Sequence, residues 1–237
     1  MNIDVIVSAA EVNGEVIKEK NVVVIDVLRA TSVIVTALVN KAKYVIPVEG
    51  IEEAWRIYHQ EGKIEMVLGG ERNAIPIEGF HFGNSPLLYT EVNVAQKKVI
   101  LTTSNGTRAI KASVKGDKIY IGSFLNASAV AKQLIKEGKD TVIVCSGTDN
   151  KYSMDDALCA GMLISIISEK QDITTTDLGL TTKILYESNK DDLHKVLSNS
   201  RHYKWLKKIG FEEDLKYCLQ RDIYDIVPVY IDDKILI

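Results

Sequence analysis

Short apolar runs rich in valine and isoleucine recur along the chain, and polar segments separate them. Most of these runs are continuous rather than alternating, which is typical of strands covered on both faces, as in a parallel sheet flanked by helices. The pattern predicts strands at Ile3–Val7, Val22–Ile25, Tyr44–Val48, Ile64–Leu68, Val99–Leu101, Ile119–Ile121, Thr141–Val144 and Ile226–Tyr230.

Helical periodicity fills most of the intervals between these runs. Ala127–Glu137 places Val130 and Leu134 on one face, with Asn126 as the candidate N-cap and Gly138 as the candidate residue after the last turn. Further helices are predicted at Ser32–Val39, Ile51–Gln60, Ser153–Glu169, Arg201–Ile209 and Glu212–Leu219. The alternation of strand and helix predicts an α/β fold with a mostly parallel or mixed sheet flanked by helices.

Two segments stand outside this alternation. Gly69–Pro86 is the strongest loop, because it is rich in Gly, Pro and Asn. Gln171–Lys195 is polar and is either a connector or an exposed helical excursion. Since no Pro- or Ser-rich linker divides the 237 residues, we predict one domain over 1–237, or two tightly associated α/β halves.

Composition narrows the class of protein. The formal net charge is −3, whereas a nucleic-acid binder usually carries a basic excess. The three cysteines contain no CxxC pair, so neither a disulfide framework nor a thiolate zinc site is indicated. The first residues lack the features of a signal peptide, and no apolar stretch approaches the ~20 residues of a membrane span. We therefore expect a reduced cytoplasmic protein that binds neither nucleic acid nor membrane.

The first candidate site follows the strand Val22–Ile25, where Asp26 stands at the strand end and Arg29 three residues later. One interpretation is an Asp26–Arg29 ion pair that caps the next helix. The other is a metal or phosphate site, with Asp26 as an oxygen ligand and Arg29 facing an anion. Haloacid-dehalogenase-type phosphatases carry a second Asp two residues after the nucleophilic one, and Leu28 stands at that position here. We therefore prefer Asp26 as a metal ligand.

The segment Gly69-Gly-Glu-Arg72 offers an acid, Glu71, and a base, Arg72, and is otherwise a surface turn. In Gly79–Pro86, two aromatic residues, Phe80 and Phe82, are expected to anchor the loop to the core. Asn84 and Ser85 are the candidate polar contacts of this loop, and His81 is either a ligand or a packed or exposed side chain without a ligand role.

Two further loops follow the strands that end at Leu101 and Val144. The first is either an anion-binding helix start or a simple cap, and its candidate residues are Asn105, Gly106, Thr107 and Arg108. The second begins with Ser146 and Gly147 and leads to Asp155 and Asp156, two consecutive acids that suit a metal or a helix N-terminus.

Ligands of open α/β sheets bind outside the carboxyl ends of the strands, so these loops are predicted to open onto one edge of the sheet. A multiply charged ligand would then be neutralised by three arginines, Arg29, Arg72 and Arg108. Oxygen ligands would come from four carboxylates, those of Asp26, Glu71, Asp155 and Asp156. Oxygen-only ligation suits Mg²⁺ rather than zinc.

Taken together, these motifs resemble the 2-phosphosulfolactate phosphatase family over nearly the whole chain. The resemblance is carried by Val24-Ile-Asp-Val-Leu-Arg-Ala-Thr-Ser32, Gly69-Gly-Glu-Arg72, Gly79-Phe-His-Phe-Gly-Asn-Ser-Pro86, Thr102-Thr-Ser-Asn-Gly-Thr-Arg108, Asp155-Asp-Ala-Leu-Cys-Ala-Gly161 and the tail from Ser200 to Asp222. It implies an α/β fold and Mg²⁺-dependent hydrolysis of (R)-2-phospho-3-sulfolactate, a step linked to coenzyme M biosynthesis. The chain departs from the family pattern at His81 and in Ser200–Leu206.

We expect Mg²⁺ to be held by Asp26 with Asp155, Asp156 or both, and Glu71 or Asp156 to act as the base. Arg29 and the loop Asn105–Arg108 are expected to bind phosphoryl or carboxylate oxygens, and Arg72 the sulfonate. A phospho-aspartate at Asp26 is the competing route. Another phosphorylated hydroxy acid as substrate, a non-enzymatic domain that binds an acidic metabolite, and self-association into a homo-oligomer all stay open.

Overall fold

A computed structural model describes residues 1–60 and 65–237 of the chain, and within them the strands form a single 11-stranded mixed sheet. The strands are β1 Asn2–Ile6, β2 Asn21–Ile25, β3 Tyr44–Pro47, β4 Met66–Arg72, β5 Ile75–Pro76, β6 Lys98–Thr102, β7 Lys118–Gly122, β8 Thr141–Cys145, β9 Thr174–Thr175, β10 Val229–Ile231 and β11 Lys234–Leu236. The α-helices are α1 Gly14–Ile17, α2 Ala30–Val39, α3 Ile51–Gln60, α4 Glu91–Val94, α5 Gly106–Ala112, α6 Ala127–Glu137, α7 Met154–Ser168, α8 Asp177–Glu187, α9 Leu193–Leu197, α10 Arg201–Lys208 and α11 Glu212–Cys218.

The sheet has two parallel parts joined by an antiparallel hairpin. Its strand order is β5-β4-β6-β3-β11-β10-β7-β2-β8-β1-β9. Strands β4, β6 and β3 run parallel to one another, and so do β7, β2, β8, β1 and β9. The hairpin of β10 and β11 is antiparallel to both neighbours, β7 and β3, so the two parts run in opposite directions.

This topology corrects the expectation that the site loops share one edge of a parallel sheet. In a flat sheet the carboxyl ends of β2 and β6 would lie at opposite edges. Five strand-to-strand steps separate them. At roughly 20–25° of twist per step, the strand directions turn by roughly 100–125°, which allows opposite ends to approach. The loops after β2 and β6 do come together: a Cβ added to Gly106 would lie 2.6 Å from Asp26 Oδ2.

The central strands are buried on both faces, as their continuous apolar runs predict. In β2, Val23 and Ile25 belong to the core cluster under α6 and α7, whereas Val22 and Val24 belong to the cluster under α2 and α5. Both α2 and α7 are apolar on nearly every side, which is the pattern of a helix enclosed by its neighbours. Asp26 therefore follows a strand that is fixed from both sides.

Most predicted elements are confirmed, with shifts of one to three residues at their ends. The helix Ala127–Glu137 has the predicted bounds, and Gly138 after it is left-handed, with φ of 62°. The start of the predicted strand Ile64–Leu68 lies outside the described residues. Its end is wrong, because β4 continues to Arg72 and the predicted turn Gly69–Arg72 is strand. Strand β4 can continue through position 70 because this residue is glycine: a Cβ added there would lie 2.1 Å from Thr102 O.

Two segments in the last third of the chain test the sequence prediction. Hydrophobic periodicity gave no signal for the three-residue strand β11, which completes the hairpin joining the two parts of the sheet. The polar stretch Gln171–Lys195 contains α8, so the helical interpretation is confirmed. Helix α8 is packed on α7, and a Cβ on Gly161 would meet Thr182 O at 2.0 Å.

Among the residues that the structure describes, none of the helices combines the length and the apolar character needed to cross a membrane.

Candidate functional site

The loops after β2, β4, β6 and β8 and part of α10 surround a cavity of about 460 Å³. Carboxylates, guanidinium groups, carboxamides and apolar groups all contribute to its wall. The lining residues are Asp26, Leu28, Arg29, Glu71, Asn73, Ala74, Asn84, Ser104, Asn105, Thr148, Asp149, Arg201, His202 and Trp205. A concave site with a few convergent polar groups is the usual form of a small-ligand pocket.

Asp26 combines a structural contact with access to the cavity. Its Oδ1 accepts a hydrogen bond from the Ala30 N–H at 3.1 Å, which satisfies a donor in the first turn of α2. The Thr31 hydroxyl accepts a hydrogen bond from the Asp26 N–H at 3.0 Å and donates one to Asp26 O at 2.9 Å. The run Asp26–Thr31 thus folds into a closed turn that holds this carboxylate at the end of β2.

Asp26 and Asp156 are carboxyl groups with raised pKa values. Burial raises the pKa of Asp26 to about 6, and the charge of Asp155 adds to it, while hydrogen bonds from Ala30 N–H and the Ser146 hydroxyl oppose the shift. Burial and the charges of Asp155 and Asp26 raise the pKa of Asp156 well above its ordinary value. A buried carboxylate without a cation is costly, and raised carboxyl pKa values of this kind are common at functional sites.

Asp156 lies behind the cavity and holds two loops together. Its Oδ1 accepts a hydrogen bond from Val27 N–H at 2.9 Å, and its Oδ2 accepts bonds from Gly147 N–H at 3.0 Å and the Ser146 hydroxyl at 3.1 Å. These contacts fix the loop after β8 against the loop after β2. Asp155, the preceding residue, accepts a hydrogen bond from the Ser153 hydroxyl and borders a smaller cavity of about 270 Å³.

Glu71 borders the main cavity from the other part of the sheet. Its Oε1 accepts a hydrogen bond from Ser104 N–H at 2.8 Å, and its Oε2 accepts one from Ala74 N–H at 2.6 Å. The Glu71 carboxylate therefore joins the turn after β4 to the loop after β6.

Arg29 is held by a buried ion pair. Its Nη1 lies 2.6 Å from Asp214 Oδ2 on α11, and the two side chains are 1% and 4% exposed. Its Nη2 donates a hydrogen bond to Ala74 O at 3.2 Å, and the guanidinium lies 3.9 Å from the centroid of the Phe211 ring. The other oxygen of Asp214 accepts a hydrogen bond from the Ser85 hydroxyl at 2.7 Å. The expected alternative of an Asp26–Arg29 pair is wrong, because Arg29 pairs with Asp214.

The structure does not bring Arg72 or Arg108 to the lining of the main cavity. Successive residues of a strand point to opposite faces, so Glu71 and Arg72 of β4 cannot both face the cavity. Arg72 donates hydrogen bonds to Glu71 O at 2.7 Å, Glu49 O at 2.9 Å and Thr102 Oγ1 at 2.9 Å. The Arg72 guanidinium therefore links β4 to β6 and lies outside the cavity lining, whereas the sequence predicted that it would bind the sulfonate.

The remaining predicted polar contacts divide into two groups. Asn84 and Asn105 line the cavity, and Asn84 Oδ1 has no hydrogen-bond partner among the described residues. Gly106 and Thr107 form the first turn of α5, and the Thr107 hydroxyl donates a hydrogen bond to Thr103 O at 3.1 Å. Gly106 and Thr107 do not line the cavity, and neither do Ser85, Ser146 and Gly147. These five residues stabilise the loops around it.

Helix α10 supplies three lining residues: Arg201, whose anion-binding role the sequence left open, and His202 and Trp205, to which the sequence gave no role. Ser200 caps the helix by accepting a hydrogen bond from Tyr203 N–H, and His202 Nε2 lies 2.8 Å from Leu28 O. Arg201 and Trp205 are four residues apart, a spacing that places both on one helix face. This spacing and the resemblance of the tail were the available signals.

His81 is an exposed side chain and does not line the main cavity. Its Nδ1 accepts a hydrogen bond from Leu68 N–H at 3.0 Å, and its ring lies edge-on to Tyr58. Partial burial lowers its pKa. The neighbouring Phe80 and Phe82 pack against Trp55 and Tyr89, so the expected anchoring of this loop is confirmed.

Among residues 1–60 and 65–237, no group of three or more His, Cys, Asp or Glu side chains is placed to hold a metal ion. The predicted set of Asp26, Asp155 and Asp156 is therefore not assembled as a metal cage. Mg²⁺ usually binds through only one or two carboxylates, and water and phosphate oxygens complete its coordination. The buried carboxyl of Asp26, with its raised pKa, borders a cavity and meets this smaller requirement.

Gly106→Ala tests how closely the loop after β6 approaches Asp26. An added Cβ would lie 2.5 Å from Ala30 Cβ and 2.6 Å from Asp26 Oδ2, so the backbone must shift. We expect catalytic efficiency to fall at least about 10-fold and the free energy of unfolding to fall by roughly 1–3 kcal/mol. Gly50→Ala is the matched control, because its Cβ would meet Glu52 Oε2 at an ordinary 3.7 Å. Equal activity of both variants in a steady-state assay would contradict the close approach.

The mixed α/β sheet and the polar cavity at its strand ends define the class as an α/β protein with a site for a small polar ligand. The model of the 2-phosphosulpholactate phosphatase family matches residues 6–233, and the chain belongs to that family.

Three similar proteins carry the name "Probable 2-phosphosulfolactate phosphatase". One from Clostridium botulinum (strain Alaska E43 / Type E3) is 46% identical over 237 residues, covering 100% of this chain and 99% of the relative. One from Clostridium novyi (strain NT) is 45% identical over 235 residues, covering 99% of both. One from Clostridium acetobutylicum is 44% identical over 237 residues, covering 100% of both.

Proposed function

We propose that this chain is a Mg²⁺-dependent phosphatase that hydrolyses (R)-2-phospho-3-sulfolactate to 3-sulfolactate and phosphate. The observation that carries the proposal is the buried carboxyl of Asp26, which borders a cavity built from four strand-end loops. Family membership supplies the reaction type. The proposal includes the setting that the resemblance implies, a cytoplasmic step towards coenzyme M.

The charges around the cavity favour a bound cation. Three carboxylates line it, those of Asp26, Glu71 and Asp149, against two guanidinium groups, those of Arg29 and Arg201. The charge of Arg29 is already balanced by Asp214. A substrate with phosphate, carboxylate and sulfonate groups would be repelled by this lining unless a cation accompanied it.

Asp26 would hold the ion in this proposal, with water and phosphoryl oxygens as its other ligands. Mg²⁺ would neutralise charge on the phosphoryl oxygens and make the phosphorus more electrophilic. Three carboxamides, those of Asn73, Asn84 and Asn105, line the cavity and would donate hydrogen bonds to the same oxygens.

The base follows from the positions of the two candidates. Both carboxylates accept hydrogen bonds from neighbouring loops, but Glu71 borders the main cavity and Asp156 is not among its lining residues. Glu71 is therefore proposed to accept the proton of the attacking water. Asp156 would position the loops after β2 and β8, and Arg29 would form a fixed wall on the side of α11.

The first test is phosphate release from 2-phospho-3-sulfolactate with Mg²⁺ or with EDTA. We expect release with Mg²⁺, its loss in EDTA, and recovery when excess Mg²⁺ is restored. A panel of other phosphorylated hydroxy acids, run in parallel, measures substrate preference. Undiminished release in EDTA would contradict the metal role. Tight binding of the substrate without release would favour a non-enzymatic binding domain.

A second test separates direct attack by water from a phospho-aspartate at Asp26. The stereochemical course at phosphorus gives the answer, measured with a thio-substituted substrate made chiral at phosphorus by oxygen isotopes and hydrolysed in H₂¹⁸O. Direct attack by water is one displacement and inverts the configuration, whereas a phospho-aspartate requires two displacements and retains it. The proposal expects inversion, and retention would establish the competing route through Asp26.

A further inference from the structure

We propose that Arg201 binds one of the two other acidic groups of the substrate, its carboxylate or its sulfonate. Asp149 pairs with the Arg201 guanidinium when no substrate is bound. The inference rests on the proposed function and deepens it. The ligand chemistry is an oxyanion, a carboxylate or a sulfonate. Binding would exchange one anionic partner of Arg201, Asp149, for another.

Two of the other arginines near the site, Arg29 and Arg72, already have partners within the protein. Arg29 forms a buried ion pair with Asp214, and removing its partner would leave an uncompensated buried charge. Arg72 donates hydrogen bonds to two backbone carbonyls and a hydroxyl, away from the cavity lining. Arg108 does not border the main cavity. A second acidic group on the substrate therefore needs another cation.

Arg201 meets that need because its present partner is easily exchanged. Arg201 Nη2 pairs with Asp149 Oδ2, and the two side chains are 71% and 66% exposed. Exposed ion pairs contribute little to stability, so replacing Asp149 by a substrate anion costs far less than opening the buried pair of Arg29. Both residues line the main cavity, and Arg201 also borders the smaller one.

The two residues of the pair lie on different elements that border the cavity. Asp149 lies in the loop after β8, at φ of 53°, inside a short turn closed by the Thr148–Lys151 bridge. Arg201 begins α10, which is anchored to the loop after β2 through His202 and Leu28 O. Arg201 and Asp149 thus meet at the cavity from two separate elements, and an anion that reaches the Arg201 guanidinium competes directly with Asp149.

A nested series of substrates tests the assignment: 2-phospho-3-sulfolactate, 2-phospholactate without the sulfonate, and isopropyl phosphate without either acid. For Arg201→Met we expect KM for 2-phospho-3-sulfolactate to rise about 10- to 100-fold, the usual loss for a charge-assisted contact. Catalytic efficiency on isopropyl phosphate should stay within about twofold. A rise in KM for 2-phospholactate as well identifies the carboxylate as the partner; a rise for phosphosulfolactate alone identifies the sulfonate.

Asp149→Asn gives the opposite expectation. It removes the competing anion, so KM for 2-phospho-3-sulfolactate should fall about two- to fivefold. Lys204→Met is the matched control, because it removes one positive charge from the same helix at an exposed position outside both cavities. Its KM should equal that of the wild type. Equal losses on all three substrates with Arg201→Met, or a higher KM with Asp149→Asn, would overturn the inference.

Calorimetric binding of 3-sulfolactate separates this inference from the proposed function. If the wild type releases no phosphate from any of the three substrates, the proposed function fails. Arg201 is still supported if Arg201→Met weakens sulfolactate binding about 10-fold or more while Asp149→Asn strengthens it. Unchanged sulfolactate binding in both variants overturns the assignment of Arg201, whatever the enzyme assay shows.

Discussion

Asp26→Asn is expected to abolish phosphate release and, at the same time, to make the metal-free protein more stable above neutral pH. The amide has nearly the shape of the carboxyl and keeps an oxygen for the Ala30 N–H, so the turn Asp26–Thr31 is preserved. It cannot carry the negative charge that the proposed Mg²⁺ site requires. We expect the turnover number to fall by about 10³-fold or more.

The stability effect follows from the pKa of Asp26. The folded value is about 6 and the ordinary value is 3.8. Because the folded protein binds this proton more tightly than the unfolded chain, the contribution of Asp26 to stability is fully present below about pH 3.8. It is lost as the pH rises through 6. At pH 8 the wild type should therefore be up to about 3 kcal/mol less stable than Asp26→Asn.

Urea unfolding in EDTA at pH 4, 6 and 8 measures this difference. The gap between the variant and the wild type should widen from pH 4 to pH 8 and narrow again for the wild type in excess Mg²⁺. Asp172→Asn, at an exposed position away from the cavity, is the control and should change neither activity nor stability. A variant less stable than the wild type at pH 8 in EDTA would show that the Asp26 charge is compensated within the protein.

The central strands and helices could be predicted from the sequence, because their local hydrophobic pattern agrees with their burial in the structure. The run Val22–Ile25 is continuous and apolar, and it became a strand covered on both faces. The helix Ala127–Glu137 ended at Gly138, where a left-handed residue was needed. The hairpin of β10 and β11 was only half predicted, since its strands have three residues each and their pairing depends on strands far away in the sequence.

The candidate site was predictable where a residue immediately follows a strand. Asp26 lies in the cavity wall for this reason, Asn105 reaches it three residues after β6 at the start of α5, and Glu71 reaches it from the end of β4. Arg72 was misplaced because Gly69–Arg72 was taken as a turn; in a strand its side chain must point away from that of Glu71.

A further part of the cavity wall comes from α10, and α11 supports the wall through Asp214. Arg201, His202 and Trp205 reach the cavity only because these helices dock there, and a local pattern cannot supply that docking. One signal was present: Asp214 shares a helix face with Cys218, four residues on, and both are buried. An acid on the apolar face of a helix indicates a buried partner, which here is Arg29.

Asp214→Ala is expected to be the most destabilising single change near the site. It removes the partner of a guanidinium that is 1% exposed, and it also leaves the Ser85 hydroxyl without its acceptor. Loss of one member of a buried pair typically costs about 3–5 kcal/mol. For a chain of this length, that loss corresponds to a decrease in Tm of roughly 6–20 °C.

A double-variant cycle shows whether the uncompensated charge is the cause. Arg29→Met and Asp214→Leu should each destabilise the protein, whereas the double variant should recover much of the loss, because two apolar side chains then fill the same buried space. Ser85→Ala, which removes only the hydrogen bond to Asp214, should cost about 1 kcal/mol. Strictly additive losses, or an Asp214→Ala protein within 1 kcal/mol of the wild type by urea unfolding (roughly the worth of one hydrogen bond), would show that Arg29 finds water or another partner. If the cycle is non-additive, α11 stabilises the cavity wall chiefly by neutralising Arg29, and the substrate must then be recognised by a different cation.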